Sequence, residues 1–195
     1  MAKMAFKTER KTRTPRKTVA TKVMEVDNTV VESTDTDAEI VERLRERFEI
    51  LDTMTQMTID GVVKGMVVTG PPGVGKSFGV EAVLEKNSIF DKLAGNRLKF
   101  GVEKGAASAI GLYKLLYNYA DRGHVLVLDD CDSVLHDETS LNLLKAALDS
   151  SKKRRISWNT DSALLRREGI PDSFEFKGAV IFITNLKFDK VRGKI

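Results

Sequence analysis

Between Gly70 and Ser77 the chain reads GPPGVGKS, directly after the apolar run Met66-Val67-Val68. Few local patterns narrow the choice of fold as far. In the spacing G-x-x-x-x-G-K-[ST], glycines let the backbone curl with its N–H groups turned inward, and the loop feeds a helix whose N-terminus favours negative charge. Each position of such a phosphate-binding loop has a physical task. Gly70, Gly73 and Gly75 permit close backbone approach, Lys76 reaches β- and γ-phosphates, and Ser77 offers its hydroxyl to Mg²⁺. Pro71, Pro72, Val74 and Phe78 complete the stretch expected against a nucleotide. The flanks agree with this reading. A strand candidate leads in, and residues 76–86 put Val80, Val83 and Leu84 on one helical stripe.

A chain of 195 residues with 42% hydrophobic content suits one domain with a packed core and appendages. Its net charge of +4 is unevenly spread: residues 1–22 hold eight Lys or Arg against one Glu, so the remainder is net acidic. Six acidic residues and no basic ones follow between Glu25 and Glu39. With little apolar content, residues 1–35 read as a disordered tail, basic then acidic, and residues 36–195 as the folded core. The basic part either attracts nucleic acid by counterion release or is a solvated end that neutralises the acidic stretch after it. No uncharged apolar run approaches the roughly 18 residues of a membrane span, and no secretory signal is evident. With a single cysteine, Cys131, and two isolated histidines, His124 and His136, the sequence offers neither an internal disulfide nor a Cys/His metal cluster. A cytoplasmic location is the expectation, with no membrane contact.

Thr36-Asp37-Ala38-Glu39 has the spacing of a capping box, so a helix should begin there, with Ile40 (or Val41), Leu44, Phe48, Leu51 and Met54 as its apolar face. The turn after it, Thr58-Ile59-Asp60-Gly61, is expected near the base of a bound nucleotide. Beyond the loop and its helix, residues 97–102 read as a strand, residues 103–107 as a loop, residues 108–119 as a helix and residues 141–148 as another. The run His124-Val125-Leu126-Val127-Leu128-Asp129-Asp130 is an apolar strand ending in two carboxylates. Held at the strand's C-terminal edge, Asp129 can orient Mg²⁺ opposite Ser77 while Asp130 polarises an attacking water. Successive strand residues point to opposite faces, so the pair can divide these tasks only where the strand finishes and turns. A further buried-strand pattern, Ala179 to Thr184, ends on Asn185.

These three motifs in this order, a Walker A loop, a Walker B strand and a strand ending in Thr-Asn, resemble the AAA+ family of ATPases. The resemblance covers the chain from about Thr36 onward and implies a three-layer α/β/α P-loop fold around a mostly parallel sheet. It also implies ATP and Mg²⁺ as ligands and a homo-oligomeric ring or filament. By family likeness Asn185 is the sensor that positions the attacking water. Most members have Asp-Glu at Walker B; the Asp-Asp here is similar to replication initiators and helicase loaders and sets the carboxylate about one methylene further from the water. Members normally continue into an arginine finger and a helical lid, whereas only ten residues follow Asn185. Arg192 does not stand where the family places the finger. The expectation is a fragment or truncated product lacking the lid, able to bind ATP yet slow to hydrolyse it, since fingers contribute about 10³–10⁵ in rate.

One segment stands outside that scheme. Lys152-Lys153-Arg154-Arg155 lies close to Trp158, the chain's one indole. Four cations and a stacking platform fit nucleic acid; a loop facing the acidic surface of a neighbouring subunit, with Trp158 packed under it, fits equally. The leading expectation is an ATPase that works on a partner such as DNA or a replication protein. A nucleotide-dependent nucleic-acid-binding module with negligible hydrolysis is the alternative, and a small-molecule kinase a weaker one.

Overall fold

The computed structural model describes residues 35–186. The tail assigned to residues 1–35, apart from Asp35, and the segment holding Arg192 lie outside the described residues. Helix α1, Asp37–Ile59, starts from the capping box: the Thr36 amide donates to Glu39 Oε2 at 2.8 Å and the Glu39 amide to Thr36 Oγ1 at 3.4 Å. Those bonds, the backbone one foremost, hold the Glu39 carboxyl below its usual range. The expected apolar face is only partly used. Phe48, Leu51 and Met54 are half-buried, but Ile40, Val41 and Leu44 are exposed, because α1 meets the rest of the fold along its C-terminal half. The residues it buries fully are Thr55 and Thr58, whose hydroxyls donate to Leu51 O and Met54 O and so need no other partner.

Strand β1, Gly65–Thr69, precedes the loop, and α2, Lys76–Asn87, follows it with Val80 and Leu84 buried and Val83 half-buried. A short α3, Ile89–Leu93, was not legible as a separate element. Strand β2 runs Phe100–Lys104, later than the expected 97–102. Arg97 is held outside it by a bond to Asn118 O and by the face of the Tyr119 ring, while Glu103 and Lys104, expected in a loop, extend the strand. Helix α4, Ala109–Asn118, leads to β3, Val125–Asp129. Then come α5, Ser133–His136, and α6, Glu138–Leu148, capped by Asp137 three residues earlier than expected. Glu138, Thr139 and Ser140 carry no apolar period, which hid the first turn of α6. Residues expected as loop form β4, Arg155–Ser157, paired antiparallel across α7, Ala163–Arg167, with β5, Ser173–Glu175. Strand β6, Ala179–Thr184, ends the described fold.

The main sheet is four-stranded and entirely parallel, in the order β1-β6-β3-β2. The chain crosses the sheet in one direction from β1 to β2 and returns through β3 to β6. Right-handed crossovers then put α2 on one face and α4 and α6 on the other. Side-chain alternation shows the same division. Val125, Val127, Ile181 and Ile183 pack with Val80 and Leu84 of α2, whereas Leu126, Leu128, Val180 and Phe182 join α4 and α6 in the second core. This is the expected α/β/α sandwich. Continued one step further, the alternation assigns Asp129 and Asn185 to the α2 face, where the glycine loop ends.

Candidate functional site

The loop from Gly70 to Ser77 bends through Gly73 and Gly75, at φ 79° and 89°, a region that L side chains avoid. A Cβ at Gly73 would meet nothing within 4 Å, so its backbone conformation rather than crowding favours glycine there. Lys76 folds back over that loop. Its ammonium donates to Gly70 O, Pro71 O and Asn185 Oδ1, each at 2.9 Å. Beside it, Ser77 Oγ donates to Asp129 Oδ1 at 2.9 Å. Residues 52 positions apart in sequence therefore meet because β1 and β3 end at the same edge of the sheet. Pro71, Pro72 and Val74 are exposed along the loop, and the Phe78 side chain, 79% exposed, points away from the core.

Asp130 takes the turn at the end of β3. Its φ of 52° is the only positive value outside glycine among the described residues, a conformation that Asp tolerates better than most side chains. The strand ends there. The Asp130 amide donates to Ile183 O at 2.9 Å, and its Oδ1 accepts from Asn185 Nδ2 at 3.0 Å. Asn185 thus bridges Lys76 and Asp130, one amide group joining loop, β3 and β6. Next to it Thr184, on the opposite face, donates to Asp132 Oδ1 at 2.6 Å and receives the Leu186 amide. That pair locks the turn after β3 to the end of β6 and so fixes the spacing of Asp130 and Asn185.

Several participants were not legible in the sequence. Lys104 sits in register with Asp129, its ammonium 2.8 Å from Glu81 Oε1 of α2 and 3.5 Å from Asp129 Oδ2. The bond to Glu81, more than Asp129, holds the Lys104 pKa above its usual range. An apolar cavity of about 500 Å³ flanks the loop, walled by Leu44, Phe48, Leu51 and Met54 of α1 and by Met66 and Val68 of β1. The turn Thr58-Ile59-Asp60-Gly61, expected near a nucleotide base, does not line it; the middle of α1 does. His124 lies at the opposite end of β3 from Asp129. Cys131 is buried next to Asp129, and burial pushes its thiol pKa up.

The basic segment needs a correction. Arg154 is buried, its guanidinium donating to Ala147 O at 2.8 Å and Gly178 O at 2.9 Å while lying over the Phe176 ring. Trp158 is half-buried against Tyr113, with ring centroids 5.6 Å apart. Arg154 is therefore not free to meet a nucleic acid, and the Trp158 indole is only partly exposed. The carbonyls that Arg154 satisfies lie inside the fold, so its charge serves α6 and the approach to β6. Lys152, Lys153 and Arg155 remain exposed.

A metal at this edge would find hard oxygen donors in Ser77 and Asp129. Among the described residues, no three His, Cys, Asp or Glu converge. A hydroxyl and a carboxylate are donors of the kind that suits Mg²⁺, which binds through one or two protein oxygens and takes its other ligands from phosphates and water.

Residues 66–193 match the model of the ATPase family associated with various cellular activities, AAA. The chain belongs to this AAA family. One similar protein is described as an uncharacterized 36.7 kDa protein in the nrdC-mobD intergenic region of Enterobacteria phage T4, 37% identical over 149 residues. That match covers 76% of this chain and 44% of the relative, so the chain spans less than half the length of the protein it resembles. The glycine loop, β3 and β6 all fall within the residues matched to this family of ATPases. Among the described residues no helix is long and apolar enough to cross a membrane.

Proposed function

We propose that this chain binds Mg-ATP at the C-terminal edge of its sheet and hydrolyses it. One observation carries the reading: Lys76, Asn185 and Asp130 form a continuous hydrogen-bonded line beside the Ser77–Asp129 pair. Loop amides and the Lys76 ammonium hold the β- and γ-phosphates, and the apolar cavity against α1 receives the base. Ser77 and Asp129 would hold Mg²⁺, which when bound supplies positive charge to the phosphate oxygens. Asp130 accepts a proton from water as the water oxygen attacks the γ-phosphorus. The bond from that phosphorus to the β–γ bridging oxygen breaks, giving ADP and inorganic phosphate. Asn185 orients the water and keeps Asp130 aimed at it.

The partner on which this energy is spent is proposed to be a nucleic acid or a protein bound to one, with assembly into a ring or filament. Exposed Lys152, Lys153 and Arg155 support contact with phosphates; buried Arg154 does not contribute. The test is steady-state phosphate release from Mg-ATP at increasing protein concentration, with Lys76→Ala as the control and single-stranded DNA present or absent. Turnover abolished in Lys76→Ala is the expected result, and a faster-than-linear rise with concentration would reveal sites shared between subunits. Turnover no higher than the control defeats the hydrolase reading.

A further inference from the structure

The alternation that brings Asp129 to the α2 face brings a second charged residue there as well. On β2, Phe100 and Val102 pack toward α2, and the next residue of that row is Lys104, in register with Asp129. The two oxygens of the Asp129 carboxylate face different donors. Oδ1 takes the Ser77 hydroxyl at 2.9 Å, and Oδ2 faces the Lys104 ammonium at 3.5 Å. Asp129 is only 6% exposed, so few waters compete for those oxygens. Lys104 itself is held by Glu81 at 2.8 Å, closer than Asp129. Glu81 is half-buried on α2, one turn beyond Ser77.

From this arrangement we infer that Lys104 is a resident cation that competes with Mg²⁺ for Asp129, and that Glu81 sets the strength of the competition by drawing the ammonium away. The inference rests on the reading of Ser77 and Asp129 as the metal-holding pair. A divalent ion arriving at Asp129 displaces a monovalent charge already near it, and two cations on one carboxylate repel. Glu81 offers the displaced ammonium a place to stay paired, so the exchange does not strand a charge. Lys104 acts through Asp129 and touches no reacting atom; it is a positioning residue. Its consequence is specific: it lowers the metal affinity of the site while leaving metal-free nucleotide affinity alone.

The test uses the full chain and a fluorescent ATP analogue, with binding measured in EDTA and across a Mg²⁺ titration. Direct binding of Mn²⁺, followed by its electron paramagnetic resonance signal, gives a readout independent of turnover. Lys104→Met should lower the half-saturating metal concentration by about fivefold, the upper end expected of a part-exposed ion pair. Glu81→Gln should raise it, because Lys104 then rests on Asp129 alone, and the double variant should behave as Lys104→Met. Affinity in EDTA should not change in any of them. An unchanged metal dependence in Lys104→Met overturns the inference, as does weaker EDTA binding, which would make Lys104 a phosphate ligand. Metal dependence absent from the wild-type chain, or surviving Asp129→Asn, would instead defeat the underlying site assignment. Lys104 is largely exposed, and an unchanged thermal midpoint verifies that each variant folds.

Discussion

Arg154→Met should cost the fold about 2–3 kcal/mol, although a run of four cations marks its position as surface in the sequence. The guanidinium satisfies two carbonyls, Ala147 O and Gly178 O, and covers the Phe176 ring at 5.2 Å. Leaving a buried acceptor unpaired costs about 1–3 kcal/mol, and loss of the ring contact about 1 kcal/mol more. Two orphaned carbonyls and the ring together give a gross loss of about 3–7 kcal/mol. Against this, burial lowers the Arg154 pKa, the sign of a charge held at a desolvation cost, and methionine does not bear that cost. The methionine stem also keeps most of the packing. Urea unfolding followed by the fluorescence of Trp158, which rests on Tyr113 in the same layer, reports the loss directly. With a slope of about 2 kcal/mol per molar urea, the midpoint should fall by about 1–1.5 M. Arg155→Met, on an exposed residue of β4, is the control and should move it little. Equal shifts in the two variants, or none in Arg154→Met, would refute the argument that Arg154 is an internal hydrogen-bonding group.

Asp130→Asn should slow single-turnover phosphate release by about 10² or more while nucleotide binding persists, because Asn tolerates the same positive φ and loses only proton-accepting capacity. Asn185→Ala should also reduce release; an unaltered rate in both variants would exclude Asp130 and Asn185 from the chemistry. Gly101→Ala places a Cβ onto the Tyr119 ring and should destabilise the fold by about 1–3 kcal/mol, with partial recovery in the Gly101→Ala, Tyr119→Leu double variant by the same urea assay. Asp137 accepts from Ser140 Oγ and its amide, and these bonds hold its carboxyl below the usual aspartate range. A depressed carboxyl stabilises the fold above its unfolded pKa and loses that contribution as pH falls through the folded value. Thermal midpoints of Asp137→Asn should therefore decline less than wild type below about pH 4.

The sequence carried the site's core because each part is encoded locally: a loop by its glycines, two strands by unbroken apolar runs, and their ends by Asp129, Asp130 and Asn185. The capping box at Thr36 and the stripe of Val80 and Leu84 were legible for the same reason. Lys104 escaped notice because its role depends on strand register, which no local pattern states. Strand β4 is too short to show alternation, with Ile156 its only buried residue, whereas Phe174 and Phe176 do alternate on the way to β6. The basic run misled because charge in sequence says nothing about which neighbour turns inward; Arg154 does so between Lys153 and Arg155, which do not. Exposure of Ile40, Val41 and Leu44 is likewise invisible to periodicity, since an apolar stripe does not reveal where along a helix its partner stops.

The alternation along β3 and β6 also governs how this chain can change length. A single residue added within β3 would rotate Asp129 onto the α4 side and carry Leu128 out of its layer, removing an acid from Ser77 and placing it in an apolar core. One added within β6 would do the same to Asn185 and exchange the places of Ile183 and Thr184. The connection between them, from Cys131 to Gly178, has no such parity to keep outside its buried anchors, and the exposed turns around α7 can absorb insertions without rotating any site residue. Within this connection, length can therefore vary at the turns around α7 while the strands keep the spacing of Asp129 and Asn185.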